Sequence, residues 1–184
     1  MVDRPISVLD PSAAPLLAGA LTRLHRPPGL MSLVKSGDRL WLREHFFLPR
    51  RFLSPLQAHA AGAEPIFALD LHGNPLPQRG AQLELVRRRF ARELPRVWHR
   101  AHLAVEAVGS SRLQDITEAE IRAAGFVTRE GFAAAWDRNL SLSSWGMVWA
   151  ENPSVVVIDF HLVRAPVPPP AIRANRSAEG KLAR

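Results

Sequence analysis

The chain has no cysteine. Disulfides, thiolate nucleophiles and any zinc site with a sulfur ligand are therefore excluded, which agrees with a reducing compartment. Long apolar runs are also missing. The richest, "APLLAGAL" at 14–21, falls far short of the roughly 20 residues a membrane span requires, and prolines and Asp10 interrupt its approach. These absences predict a cytoplasmic protein with no cleaved leader and no membrane partner. Lysine is nearly absent too: Lys35 and Lys181 are the only two, so the formal charge of +7 is carried almost entirely by arginine. Arginine-rich coding alone could produce that bias, but an excess of guanidinium also suits an anionic partner, nucleic acid being the commonest.

The 184 residues suffice for one domain with a core, and 47% hydrophobic content is ordinary for a globular chain. The sequence divides into an N-terminal extension (1–12), a domain (13–165) and a proline-rich, then polar and basic tail (166–184) expected to be disordered.

Leu16, Leu17, Leu21 and Leu24 recur at helical spacing, so a helix is expected over 13–24, stopped by "HRPPG". Two strands, Leu30 to Val34 and Arg39 to Phe47, follow around a Lys-Ser-Gly-Asp turn. Residues 50–64 read as an irregular insertion. "PIFALDLHGNP" reads as a strand entering a turn, and the spacing of Leu83, Val86, Phe90 and Leu94 predicts a basic amphipathic helix over 82–94.

"AHLAVEAVGSS" alternates as a strand, and "LQDITEAEIRAAGF" carries a capping box, with Thr117 as N-cap, Glu120 three later and Gly125 as the stop. "REGFAAAWDRNL" is a second short helix, and "SVVVIDFHLV" a closing strand. Strands and helices alternate irregularly without a glycine-rich phosphate loop, which predicts an α+β fold with a mainly antiparallel sheet.

One residue disturbs the pattern. Alternation over "GDRLWLREHFFLP" puts Glu44 on the same face as Leu40, Leu42, Phe46 and Leu48. An unpaired carboxylate there would cost several kcal/mol, which raises the question of what compensates it.

The order of "LAGALTRLHRP", "GDRLWLRE", "LPRVWHRAHLAVEAV", "RLQDITEAEIRAAGF", "FAAAWD" and "VVVIDFHLV" resembles an ASCH domain of the phage and prophage type, over about Leu16 to Val163. ASCH domains are similar to the PUA superfamily. The resemblance implies a small β-barrel with flanking helices that binds RNA, a nucleotide or a modified nucleobase in a charged cleft at its mouth.

The same resemblance implies Arg26, Arg43, Arg96 and Arg100 as contacts to phosphate or base edges. Glu44, with Arg26 or Arg100 as its partner in the cleft, would accept from base amino groups, and Trp41, Trp98 or Trp145 would stack a base. Trp136 reads as packing. The resemblance also implies a catalytic role for Glu106, with Thr22, in amidohydrolase-type members. "GALT" keeps Gly19 and Thr22 of that pattern, but Leu21 stands where those members carry lysine, and leucine cannot activate a hydroxyl.

Three functions follow. The chain is expected to be a binding module. It could instead be a hydrolase, either a ribonuclease or a nucleoside amidohydrolase, with Glu106 as general base, or a protein-interaction regulator of phage origin. No HExxH or helical histidine pair suggests a metal. No cofactor is expected unless a nuclease uses loosely held Mg²⁺.

Overall fold

A computed structural model describes residues 2–8, 11–76, 86–140 and 146–166. The architecture is α+β, with two sheets, and the principal strand pairings are antiparallel.

The main sheet has five strands. These are β1 (Asp3–Ser7), β2 (Arg23–Arg26), β3 (Arg39–Arg43), β7 (His102–Arg112) and β8 (Ser154–Val163), in the order β1-β3-β7-β8-β2. The small sheet comprises β4 (Phe46–Pro49), β5 (Ile66–Phe67) and β6 (Val86–Arg89), with β4 in the middle. Four α-helices accompany them among the described residues: α1 (Ala13–Ala18), α2 (Pro55–Ala60), α3 (Glu118–Ala123) and α4 (Arg129–Arg138). None is long and apolar enough to cross a membrane.

The expected closed barrel does not form: β1 and β2 are opposite edges of one curled sheet. Both edges carry proline, Pro5 within β1 and Pro27-Pro28 straight after β2, and a residue without an N–H cannot extend a ladder. Across the gap between these edges the Arg26 Nη2 donates one hydrogen bond to the Ser7 carbonyl, at 3.2 Å. Inside the curl, Ile6, Leu24, Leu42, Leu103 and Phe160 pack in one core with Leu16 and Leu17 of α1. A second core forms under the small sheet around Phe46, Leu48 and Leu94, and a third joins Ile121 of α3 to Phe132 of α4.

Several local expectations change. Asp3–Ser7, read as an extension, pairs in parallel with β3 and belongs to the main sheet. The first helix stops at Gly19, whose φ of 82° suits glycine and whose N–H closes onto the Leu16 and Pro15 carbonyls. Leu21 and Leu24 are buried all the same, Leu24 as part of β2. Residues Leu30–Leu33 form a 3₁₀ turn, not a strand. The stretch read as irregular contains α2, capped by the Ser54 hydroxyl, which accepts from the Gln57 N–H.

The basic helix predicted over 82–94 is β6 followed by a 3₁₀ turn; its first residues, up to 85, lie outside the described residues. Arg89 is buried there because its guanidinium donates to the Phe52 and Leu53 carbonyls at 2.9 and 2.7 Å, bonds available only with β6 beside β4. The tail from 167 onward lies outside the described residues.

Candidate functional site: a cavity between the sheet edges

Alternation along β2 puts Leu24 and Arg26 on the inner face, opposite the buried Ile158 and Val156 of β8. Arg23 and His25 face outward. Arg23 bonds twice to its cross-strand neighbour Asp159, at 2.5 and 3.0 Å, and once to Glu120 at 2.9 Å. Three charges are spent on one another there.

Glu120 is held by the capping box of α3. Its Oε2 accepts from the Thr117 N–H at 2.7 Å and from the Thr117 hydroxyl at 2.8 Å. Burial pushes this carboxyl up, but the Thr117 bonds and Arg23 outweigh burial and bring it down to about 2. His25 is half-buried, and burial lowers its pKa below the ordinary 6.5, so it is neutral at pH 7.

Arg26 differs from all of these. Its side chain is half-buried, and desolvation alone lowers its pKa to about 10, which leaves it protonated at neutral pH. Among the described residues it has no carboxylate partner, only the Ser7 carbonyl. It faces a cavity of about 280 Å³ between the ends of β1 and β2, roofed by α3 and α4. The roof is apolar and aromatic, with Phe126, Phe132 and Trp136, and carries the polar Asn139. Phe132 stacks on Trp136 with centroids 6.4 Å apart, and the indole N–H is anchored to the Met147 carbonyl at 2.7 Å. A protonated guanidinium at one wall and aromatic rings at another suit a ligand with an anionic end and a flat or apolar body.

A second hollow of about 380 Å³ lies on the outward face of β7 and β8 and shares Arg23, His25 and Glu120 with the first. Its cation is Arg23, already neutralised by two carboxylates.

The other residues singled out in the sequence lie elsewhere. Glu44 does find Arg100, with Arg100 Nη2 to Oε1 at 2.6 Å and Nε to Oε2 at 3.2 Å, but the pair does not line the cavity. Glu44 lies in the chain between Leu42 of the first core and Phe46 of the second, and the Arg100 guanidinium lies 3.8 Å from the centre of the Phe67 ring. The inner-face carboxylate is thus part of the junction between the two sheets.

Trp41 is buried, with His99 against it at 5.5 Å and Arg43 over its ring at 4.7 Å. Trp98 packs edge-on to Phe46 and His59. Arg96 joins Arg39 on Asp3. Burial raises the Asp3 carboxyl, but Arg96 and Arg39 outweigh burial and hold it below its ordinary value. Trp145 lies outside the described residues.

Leu21 is 3% exposed, within the first core, while Thr22 is exposed. Glu106 is the extra residue of a β-bulge, since the ladder steps from Val105–Phe160 to Ala107–Asp159, and its carboxylate meets His161 Nδ1 at 2.8 Å on the exposed face. Among the described residues no group of three or more His, Asp or Glu is placed to hold a metal ion.

Of the ligand contacts expected from the sequence, Arg26 is the one that lines the cavity. His25, Phe132, Trp136 and Asn139 were missed as site residues. Reading "RLHR" as a strand would have exposed the inward arginine, and the helical reading of 13–24 concealed it.

No protein-family model, no curated protein and no solved structure matches the chain.

Proposed function

We propose that this chain is a binding module for a nucleotide or a modified nucleobase bearing an anionic group, held in the cavity between the edges of the main sheet. In this reading Arg26 takes the phosphate, the Phe132 and Trp136 region receives the base, and Asn139 supplies a hydrogen bond to its edge. The observation that carries it is the half-buried Arg26, which faces the cavity with no carboxylate partner among the described residues, since a charge in that position calls for an anion. The cavity's volume suits one nucleotide and not a folded nucleic acid. The ASCH-like reading and a cytoplasmic setting are proposed with it. The wall formed by the segment after the first helix supports the former, and the absence of cysteine supports the latter.

The test is calorimetric titration with a nucleoside monophosphate and with the matching nucleoside. Loss of the phosphate is expected to weaken binding at least tenfold, about 1.4 kcal/mol for one charge-assisted contact. Equal affinity for the two, or no binding of either, would contradict the proposal.

A hydrolytic activity is the second reading, favoured by the Glu106–His161 pair at a bulge, because a carboxylate can orient an imidazole as general base. Labelled single-stranded RNA incubated with and without Mg²⁺ tests it. Cleavage abolished by Glu106→Gln would establish this reading, and intact RNA would remove it.

A further inference from the structure

His45, His102 and His161 each commit a ring nitrogen to a neighbour: the Arg89 carbonyl, the Ala165 carbonyl and the Glu106 carboxylate. His25 does not. It is half-buried and makes no hydrogen bond among the described residues, so both ring nitrogens are unspent. The imidazole stands in the wall that the cavity and the second hollow share, one residue before Arg26.

Its charged surroundings come from four elements. Arg23 and Arg26 share its strand, Asp159 lies on β8, Glu120 on α3, and Asp115 ends the 3₁₀ turn after β7. Val157 lies opposite it in the ladder, and α4 brings only Phe132, Ala135, Trp136 and the neutral Asn139 beyond its end to the cavity. Burial holds His25 below its ordinary 6.5; the fields of Arg23 and Arg26 act in the same direction, and those of Glu120 and Asp159 oppose them. Arg23 is already bound to both carboxylates, which leaves Arg26 as the cation an anion can reach. An anion seated there cancels one positive field and adds a negative one. Both changes favour the imidazolium. Among the described residues lining the cavity, His25 is the group that changes charge between about pH 5 and 8, because Arg26 at about 10 stays protonated and Glu120 at about 2 stays ionised.

We infer that His25 takes up a proton when an anion enters the cavity, so that affinity for the anion rises as the solution becomes more acidic. This rests on the reading of Arg26 as the anion's counter-ion and gives that site its regulation. The sign follows from linkage: binding strengthens as pH falls through the His25 titration of the complex, and levels off below that of the free protein.

Inorganic sulfate is the probe, because its own charge does not change over that range. Its affinity is read from the indole N–H resonance of Trp136 in the cavity roof, from about pH 8 down to about pH 5, in the wild type, His25→Gln and Arg26→Met. The His25 ring protons are followed in the wild type with and without sulfate. The wild type is expected to bind about fivefold more tightly at the acid end, where one unit of pKa change on binding is worth tenfold. Sulfate should raise the pH at which His25 titrates, and His25→Gln should bind without pH dependence. A wild-type affinity that is constant with pH, a His25 titration unmoved by saturating sulfate, or a pH dependence retained in His25→Gln would each overturn the inference. Binding that Arg26→Met abolishes but pH does not alter would leave the cavity reading standing and remove the proton linkage alone. A Trp136 resonance indifferent to sulfate at every pH would overturn both.

Discussion

Glu44, on the inner side of the run from β3 to β4, meets Arg100 at 2.6 Å, and its charge is absorbed in a pair between two apolar cores. Arg26, on the inner side of β2, meets only the Ser7 carbonyl at 3.2 Å and faces a cavity. Both are charges on strand faces that otherwise pack apolar side chains. Desolvation is costly for each, more so for buried Glu44 than for half-buried Arg26, and the two sites meet that cost differently. At the junction a counter-ion from the chain itself compensates the carboxylate, and the result holds two sheets together. At the cavity no such counter-ion is present among the described residues, so compensation falls to a ligand. The contrast teaches that a charge on an inner face identifies a binding site only when its partner is missing and space lies beside it.

The largest expected effect breaks the junction. Arg100→Met leaves Glu44 buried and unpaired, and stability should fall by about 3 kcal/mol, read as the shift in urea unfolding midpoint at unchanged slope. The double variant Glu44→Leu/Arg100→Met removes both charges and should recover most of that loss. If the double variant were no better than the single one, the pair would be required for more than charge compensation.

Next comes the Arg23–Glu120 corner that borders the cavity. Glu120 has a folded pKa of about 2 against an ordinary 4.5, so it binds its proton more weakly when folded than when unfolded. Its contribution is therefore fully present above about pH 4.5 and is lost as pH falls toward 2. Thermal melts from pH 6 to 2 should show Glu120→Gln already weaker at pH 6, by about 1 kcal/mol from the lost cap and ion pair, with the gap to wild type closing as pH falls. A constant gap across that range would remove the carboxylate from the explanation.

The smallest effect is expected at Glu106. Its pair with His161 is more than half exposed on both sides, so Glu106→Gln should change stability by less than about 0.5 kcal/mol and leave nucleotide binding intact. A large loss of either would make the bulge part of the site.

Much of the fold was legible where the signals were local. Thr117, Glu120 and Gly125 delimit α3 because caps satisfy the helix's own end groups, and β8 alternates because Val156, Ile158 and Phe160 share one buried face. That Glu44 needs compensation could be anticipated from its place on the apolar face, and the structure supplies Arg100, one of the two arginines the family resemblance implied. The segments from Leu16 to Leu24 and from Val86 to Leu94 were misread because leucines three and four apart satisfy a helix, and also a helix end followed by a strand. Long-range contacts decided between these: the pairing of β2 with β8, and the bonds from Arg89 to the Phe52 and Leu53 carbonyls. The cavity was hidden for the same reason. Ser7, Arg26 and Trp136 come together only after the sheet has curled and α4 has packed over its edge.

The most direct test of the central claim is made on Arg26→Met, measuring urea unfolding and nucleoside monophosphate binding on the same preparation. The account predicts stability within about 1 kcal/mol of the wild type, because a half-buried charge with no carboxylate partner among the described residues has been replaced by an apolar chain at the cost of one hydrogen bond, together with loss of at least 90% of the affinity. Unchanged affinity, or a loss of several kcal/mol of stability, would contradict it and make Arg26 a structural tie between the sheet edges rather than the ligand's counter-ion.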